Sequence, residues 1–120
     1  MIEKGKLLRM DNVSIVVDDL GAAKAFFAEL GMVLEGETTV QGDGVGKVIG
    51  LTDVRCDIAM MRTPDGHSRL ELSQFHTPPA IESELGSAPT NTIGTYRIMF
   101  AVDNIDEVVA RLQKHGARLV

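Results

Sequence analysis

The chain has 120 residues, 17 acidic against 12 basic side chains and a net charge of −5. That length bounds it to one domain able to bury roughly two thirds of its unfolded surface without staples, and a lone cysteine, Cys56, rules out an internal disulfide and fits a reducing cytoplasm. Scattered Lys and Arg and few aromatics argue against a nucleic-acid partner, and no apolar run suits a membrane span or a signal peptide at "MIEKGKLLRM", so a soluble cytoplasmic domain is expected.

In chain order, "NVSIVVDDLGAAKAFFAELGMVL" (12 to 34) opens as a strand: Val13, Ile15 and Val17 alternate with Asn12, Ser14 and Val16. After Asp18, which can accept the free amides of a first turn, the period becomes helical through Leu20, Ala23, Phe26, Phe27 and Leu30. Gly31 suits a left-handed cap. "MVLEGETTV" (32 to 40) reads as a strand. "GDGVGKVIG" resembles a phosphate loop, but Gln41 stands where such a loop needs glycine and Val48 where it needs Ser or Thr. A mobile glycine-rich loop is expected there. "RCDIAMMRT" (55 to 63) and "HSRLELSQF" (67 to 75) read as strands joined by the turn "PDG".

A proline-rich connector over 77–93 follows, and then the first segment returns. "RIMFAVDNIDEVVARLQKHGARL" (97 to 119) lies over 12 to 34 without a gap, at an offset of 85 residues. Five identities in 23 are few, but the matched positions carry the same roles. Ile98, Phe100 and Val102 alternate as Val13, Ile15 and Val17 do. Asp103 stands for Asp18. Ile105, Val108, Val109 and Leu112 carry the helix, and Gly116 stands for Gly31. The first module, 8–76, is thus strand, helix and three strands. The second, 94–120, reaches only strand and helix, with "ARLV" opening a further strand; the counterpart of Glu71 would fall near position 156. Two strands are missing from the second module, which is either truncated or completed by a second copy that covers the open edge. A homodimer is expected.

"DGHSRLELSQFHTPP" sets His67 and His76 around Glu71, three residue types that bind metals. Four strand residues hold His67 and Glu71 roughly 13 Å apart, too far for one ion with ligands near 2.1 Å. His76 is out of phase with Glu71 by one residue. Both histidines therefore take structural roles at a turn and a strand end, and this stretch is not a metal site. With Leu70 and Leu72 on the helix side, Glu71 and Ser73 share the open side of the sheet with Asn12, Ser14, Arg97 and Met99. His115 is expected to complement its helix C-terminus, Cys56 lacks an activating base, and Met60, Met61 and Met99 are expected as core or pocket wall.

The tandem strand–helix–three-strand pattern, with "MDNVSIVVDDLGAAKAFFAELGM", "RLELSQF" and "YRIMFAVDNIDEVVARLQKHGARLV", resembles the vicinal oxygen chelate superfamily, the glyoxalase, bleomycin-resistance and extradiol-dioxygenase group. The resemblance covers residues 8 to 120 and implies an α+β fold whose modules form a cupped mixed sheet. In metal-using members it implies one divalent ion, held by the first and last strands of each module, that acts as Lewis acid on two adjacent substrate oxygens. By position those sites fall on Asn12, Glu71 and Arg97; the fourth lies beyond this chain. Asn12 offers a neutral amide oxygen, and a guanidinium cannot ligate a cation. No metal or other cofactor is therefore expected. The reading favoured is metal-free capture of a small organic molecule by Asn12, Ser14, Glu71, Ser73, Arg97 and Met99. Arg97 would pair with Glu71 in the empty state or receive an anionic group, and Glu71 would be the general base if there is turnover. The alternatives are a divalent-metal lyase, epimerase or dioxygenase that uses Glu71 as one ligand, and an interaction module without a small ligand.

Overall fold

The computed structural model describes residues 3–120. Four strands, β1 (Val13–Val16), β2 (Val33–Gln41), β3 (Arg55–Arg62) and β4 (Arg69–Thr77), form one sheet in the order β1-β4-β3-β2. The pairs β2–β3 and β3–β4 are antiparallel, and β1 joins β4 in parallel. Helix α1 (Leu20–Leu30) makes the crossover, α2 (Asp43–Ile49) follows β2, and α3 (Ile105–Gln113) lies in the second repeat. This is the mixed α+β module expected from the pattern. No helix among the described residues is long and apolar enough to cross a membrane.

Period-two alternation in the strands decides where the core sits. Leu70 and Leu72 of β4 and Ala59 and Met61 of β3 are buried against α1, together with Leu20 and Met32. Ile15, Val17, Ala23, Phe27 and Phe100 pack around them. Leu72 and Met61 are no more than 1% exposed, so truncating either would leave a cavity costing about 2–5 kcal/mol. Helix α1 is also tied to the sheet by its first amide, which donates to the Gln74 side chain at 2.9 Å.

The repeat survives in the backbone, one residue from where the sequence placed the caps. Asp19, not Asp18, caps α1 by accepting from Ala22 N, and Asn104, not Asp103, caps α3 by accepting from Glu107 N. Each pair is again 85 apart. At the other ends Met32 N donates to Phe27 O at 2.9 Å, and Ala117 N donates to Leu112 O at 3.2 Å. Both are the six-to-one closure of a glycine-ended helix, with Gly31 at φ 119° and Gly116 at φ 94°. In the second copy Gly116 lies past Lys114, the residue that caps α3.

Three expectations are corrected. Residues 97–102 are extended but belong to no sheet, and 117–120 form no strand. A strand needs a hydrogen-bonding neighbour, and among the described residues none lies beside this ribbon. Its alternation persists: Ile98, Phe100 and Val102 line an apolar groove with Phe26, Phe27 and Leu112. The radius of gyration, 16.8 Å, exceeds the roughly 13–14 Å of a compact chain of this length. Third, the expected loop at "DGVGKVIG" is helix α2. Asp43 suits its first turn and Lys47 its last, Gly50 closes it at φ 76°, and Gly46 lets it sit against the chain at Leu51.

A Cβ on Gly46 would lie 2.2 Å from the Leu51 carbonyl oxygen, whereas one on Gly44 would meet nothing within 4 Å. Gly46→Ala should therefore lower stability by about 1–3 kcal/mol in urea unfolding, while Gly44→Ala should be neutral or stabilising by up to about 1 kcal/mol. Equal midpoints for the two variants would show that α2 does not pack this way.

Candidate functional site

The face of the sheet opposite α1 is organised in rows by the strand register. One row runs Ser14, Glu71, Met60, Gly36 across β1, β4, β3 and β2. The next runs Val16, Ser73, Ile58, Thr38. On the other side of the first row stand Arg69 and Arg62, which are paired with each other.

Glu71 is the centre of this face. Ser14 Oγ donates to Glu71 Oε1 at 3.1 Å, and Ser73 Oγ donates to the same oxygen at 3.5 Å. Both bonds go to Oε1, which leaves Oε2 without a side-chain donor among the described residues. Asn12 turns its amide toward Met60, with Nδ2 3.9 Å from the sulfur. Asn12, Ser14, Glu71 and Ser73 are thus brought to one side of the sheet. Ser73 is buried at 4% exposure, Glu71 half-buried and Ser14 exposed. A carboxylate so placed keeps one oxygen fixed and offers the other.

Arg97 and Met99 are not gathered with them. Both are exposed on the unpaired ribbon, on the opposite side from Ile98 and Phe100. Arg97 makes no ion pair among the described residues, so the pair with Glu71 considered for the empty state is not formed. The ribbon is anchored to α1 through Phe100, whose ring centre lies 6.4 Å from that of Phe27, and not to β1.

The histidines of the opening motif are accounted for. His67 belongs to the β3–β4 turn, where its amide donates to Asp65 Oδ1. His76 Nε2 lies 2.7 Å from Asp57 Oδ2, and Thr39 Oγ1 donates to Asp57 Oδ1 at 2.6 Å. This cluster clasps β2, β3 and β4 on the face away from Glu71. His115, expected at a helix terminus, instead reaches Glu29 of α1 at 3.8 Å, beside Arg111. The Cys56 thiol is buried and pushed above its ordinary value, mainly by burial, so it is no nucleophile at neutral pH.

A cleft of about 710 Å3 opens elsewhere, at the end of the sheet between the start of β1, the β3–β4 turn and residues 98–103. Asn12 and Met99 line it, but Ser14, Glu71 and Ser73 do not. Its walls include Met32, Leu70 and Val108, which are buried residues at the edge of the core. The cleft carries polar side chains of its own, among them Asp11, Asp65, His67, Arg69, Asp103 and Arg111, and the Glu71 carboxylate lies outside it.

The module and its partial repeat define a mixed α+β class built on an open four-stranded sheet. Residues 11–120 match the model of the glyoxalase/bleomycin resistance protein/dioxygenase superfamily, and the chain belongs to that superfamily. It is similar to a glyoxalase family protein from Bacillus cereus of known crystal structure, with 55% identity and a TM-score of 0.88; the match covers 97% of this chain and 77% of that one. No curated protein matches it.

The divalent ion used by some members does not fit these residues. Of the three positions present, one is a neutral amide, one is a guanidinium that stands away from the other two, and only the Glu71 carboxylate is a strong ligand. Among the described residues no group of three or more His, Cys, Asp or Glu side chains is placed to hold a metal.

Sequence reading did not single out Arg62, Arg69 and Gly36, which share the Glu71 face. The signal was available in part: Arg69 is two residues from Glu71 on one strand. Arg62 and Gly36 need the register across the hairpins, which the β-bulge between Leu34 and Gly36 alters.

The Asp57 clasp generates a pH prediction. Its carboxyl is held below the ordinary value of 3.8, first by the Thr39 hydroxyl and then by His76. A folded pKa below the unfolded one gives stability that is present above the unfolded value and lost as pH falls through the folded one. Asp57→Asn should therefore lower the Tm at neutral pH, and the gap from the parent should close on acidification below 3.8. A gap that stays constant into strong acid would show that the carboxylate is not the source.

Proposed function

We propose that this protein captures a small organic molecule on the Glu71 face of the sheet without a metal ion. The observation that carries this is the state of Glu71, with one oxygen fixed by Ser14 and Ser73 and the other open. An open carboxylate oxygen on a half-buried face receives a hydroxyl or amine donor from a ligand, and charge assistance makes that bond roughly twice as strong as a neutral one. Met60 and Ile58 supply an apolar floor beside it. On Gly36 a Cβ would meet nothing within 4 Å, so the row ends in open space.

In this reading Asn12, Ser14, Glu71 and Ser73 form the polar base of the site. Arg97 and Met99 stand apart from that base, on the ribbon that Phe100 anchors to α1. The metal-dependent reactions of the superfamily find no support in the donor set. The protein pairs with a second copy through the unpaired 97–102 ribbon and the groove beside it, since an extended segment without a sheet partner is a ready edge.

Native mass spectrometry of the purified protein, with elemental analysis, tests this directly. A dimer carrying an organic mass released on denaturation is expected, with no stoichiometric first-row metal. Glu71→Gln should weaken retention by roughly tenfold, the size of one charge-assisted hydrogen bond, without lowering the Tm. Stoichiometric zinc, iron or manganese would overturn the metal-free reading.

A further inference from the structure

The register places a second charged group beside Glu71. In β3, Met61 is buried on the α1 side and Met60 pairs with Glu71 on the other, so Arg62 follows Met60 by one full alternation and shares its face. Two strand residues span about 6.7 Å. Arg62 therefore stands one row from the carboxylate, next to Arg69, with which it pairs.

The two arginines differ in commitment. Arg69 Nε donates to Glu35 Oε2 at 2.9 Å, and its Nη1 donates to Gly66 O. Arg62 makes one long bond, from Nη1 to Thr63 O at 3.4 Å, and no ion pair among the described residues. The residue is half-buried, and its guanidinium has no counter-charge bound to it among the described residues. A guanidinium in that condition is a receiver for a planar anion, which it binds through two parallel donors.

We infer that Arg62 is the anion anchor of the Glu71 face, so that the ligand is a small organic acid with a hydroxyl or amine donor at its far end. This rests on the reading that the Glu71 face binds a small molecule. The acid would lie on Arg62 and the donor on Glu71 Oε2, with the apolar body across Met60. Arg69, already neutralised by Glu35, sets the edge of the site. Like-charge repulsion from Glu71 keeps the carboxylate of the ligand at the Arg62 end, which fixes the direction of binding.

The test uses 4-hydroxybenzoate as probe, since it carries a carboxylate and a hydroxyl at opposite ends of a rigid apolar ring. Its neutral amide, 4-hydroxybenzamide, and its capped form, 4-methoxybenzoate, are the comparators. Binding is read by amide chemical-shift titration, which reports affinity and location together. A dissociation constant at or below about 10 mM is the scale for a ten-atom fragment. With the parent protein, the acid should bind at least about tenfold tighter than the amide or the methyl ether.

Arg62→Gln should abolish the preference of acid over amide and leave the amide's own affinity unchanged. Arg62→Lys should restore part of it. Glu71→Gln should abolish the preference of hydroxyl over methoxy while the acid preference persists. Retention of the acid preference in Arg62→Gln with its loss in Arg97→Gln would move the anchor to Arg97, overturning this inference and leaving the Glu71 site standing. Failure of all three probes to shift residues on this face would overturn both.

Discussion

The parallel pairing of β1 with β4 is the constraint from which the functional face follows. It is made possible by α1, which carries the chain from the end of β1 across the sheet and returns it as β2. With β1 held against β4 in this register, Ser14 stands opposite Glu71 and Ile15 opposite Leu72. One side of the pair is then core and the other is polar. A slip of one residue would bury Glu71 against Phe27 and expose Leu72, at several kcal/mol of lost apolar burial and uncompensated charge. The same packing that stabilises the module thus fixes the carboxylate outward, and Ser14 and Ser73 then fix its rotamer.

A superfamily scaffold supplies position, and the residues at those positions decide what is done there. Asn12 supplies a neutral amide just before β1, and Arg97 stands on the ribbon away from this face. The face carries a carboxylate with one open oxygen, a row of apolar side chains and the guanidinium groups of Arg62 and Arg69. In the function proposed, such a set would discriminate ligands by hydrogen-bond polarity and charge.

The second repeat shows how far local sequence can go without tertiary completion. Helix α3 forms with its Asn104 cap and closes through the same six-to-one bond as α1, because capping and glycine closure are local. Residues 97–102 keep their alternation yet form no strand, since a strand is defined by a neighbour. The apolar side of the ribbon still finds α1 through Phe27, which holds the two repeats together at the helices rather than at the sheet.

Much of this was legible from residues alone. The change from period two to helical spacing after Val17, the glycine at 31, the turn around Gly66 and the outward side of Glu71 are written in short stretches, where sterics and hydrogen bonding act between near neighbours. The 85-residue repeat exposed the domain plan for the same reason. Other features were settled only by three-dimensional contact. Helix α2 exists because Gly46 allows backbone to approach Leu51, overriding the poor helix propensity of its glycines. Asp57 was assigned to His76 and Thr39 by the lateral register of three strands. Arg62 came to the Glu71 face, and Arg97 stayed apart from it, by pairing between segments distant in sequence. Local periodicity fixes which way a side chain leaves its own strand; which charges then become neighbours is decided by strand order and register, and these are properties of the assembled sheet.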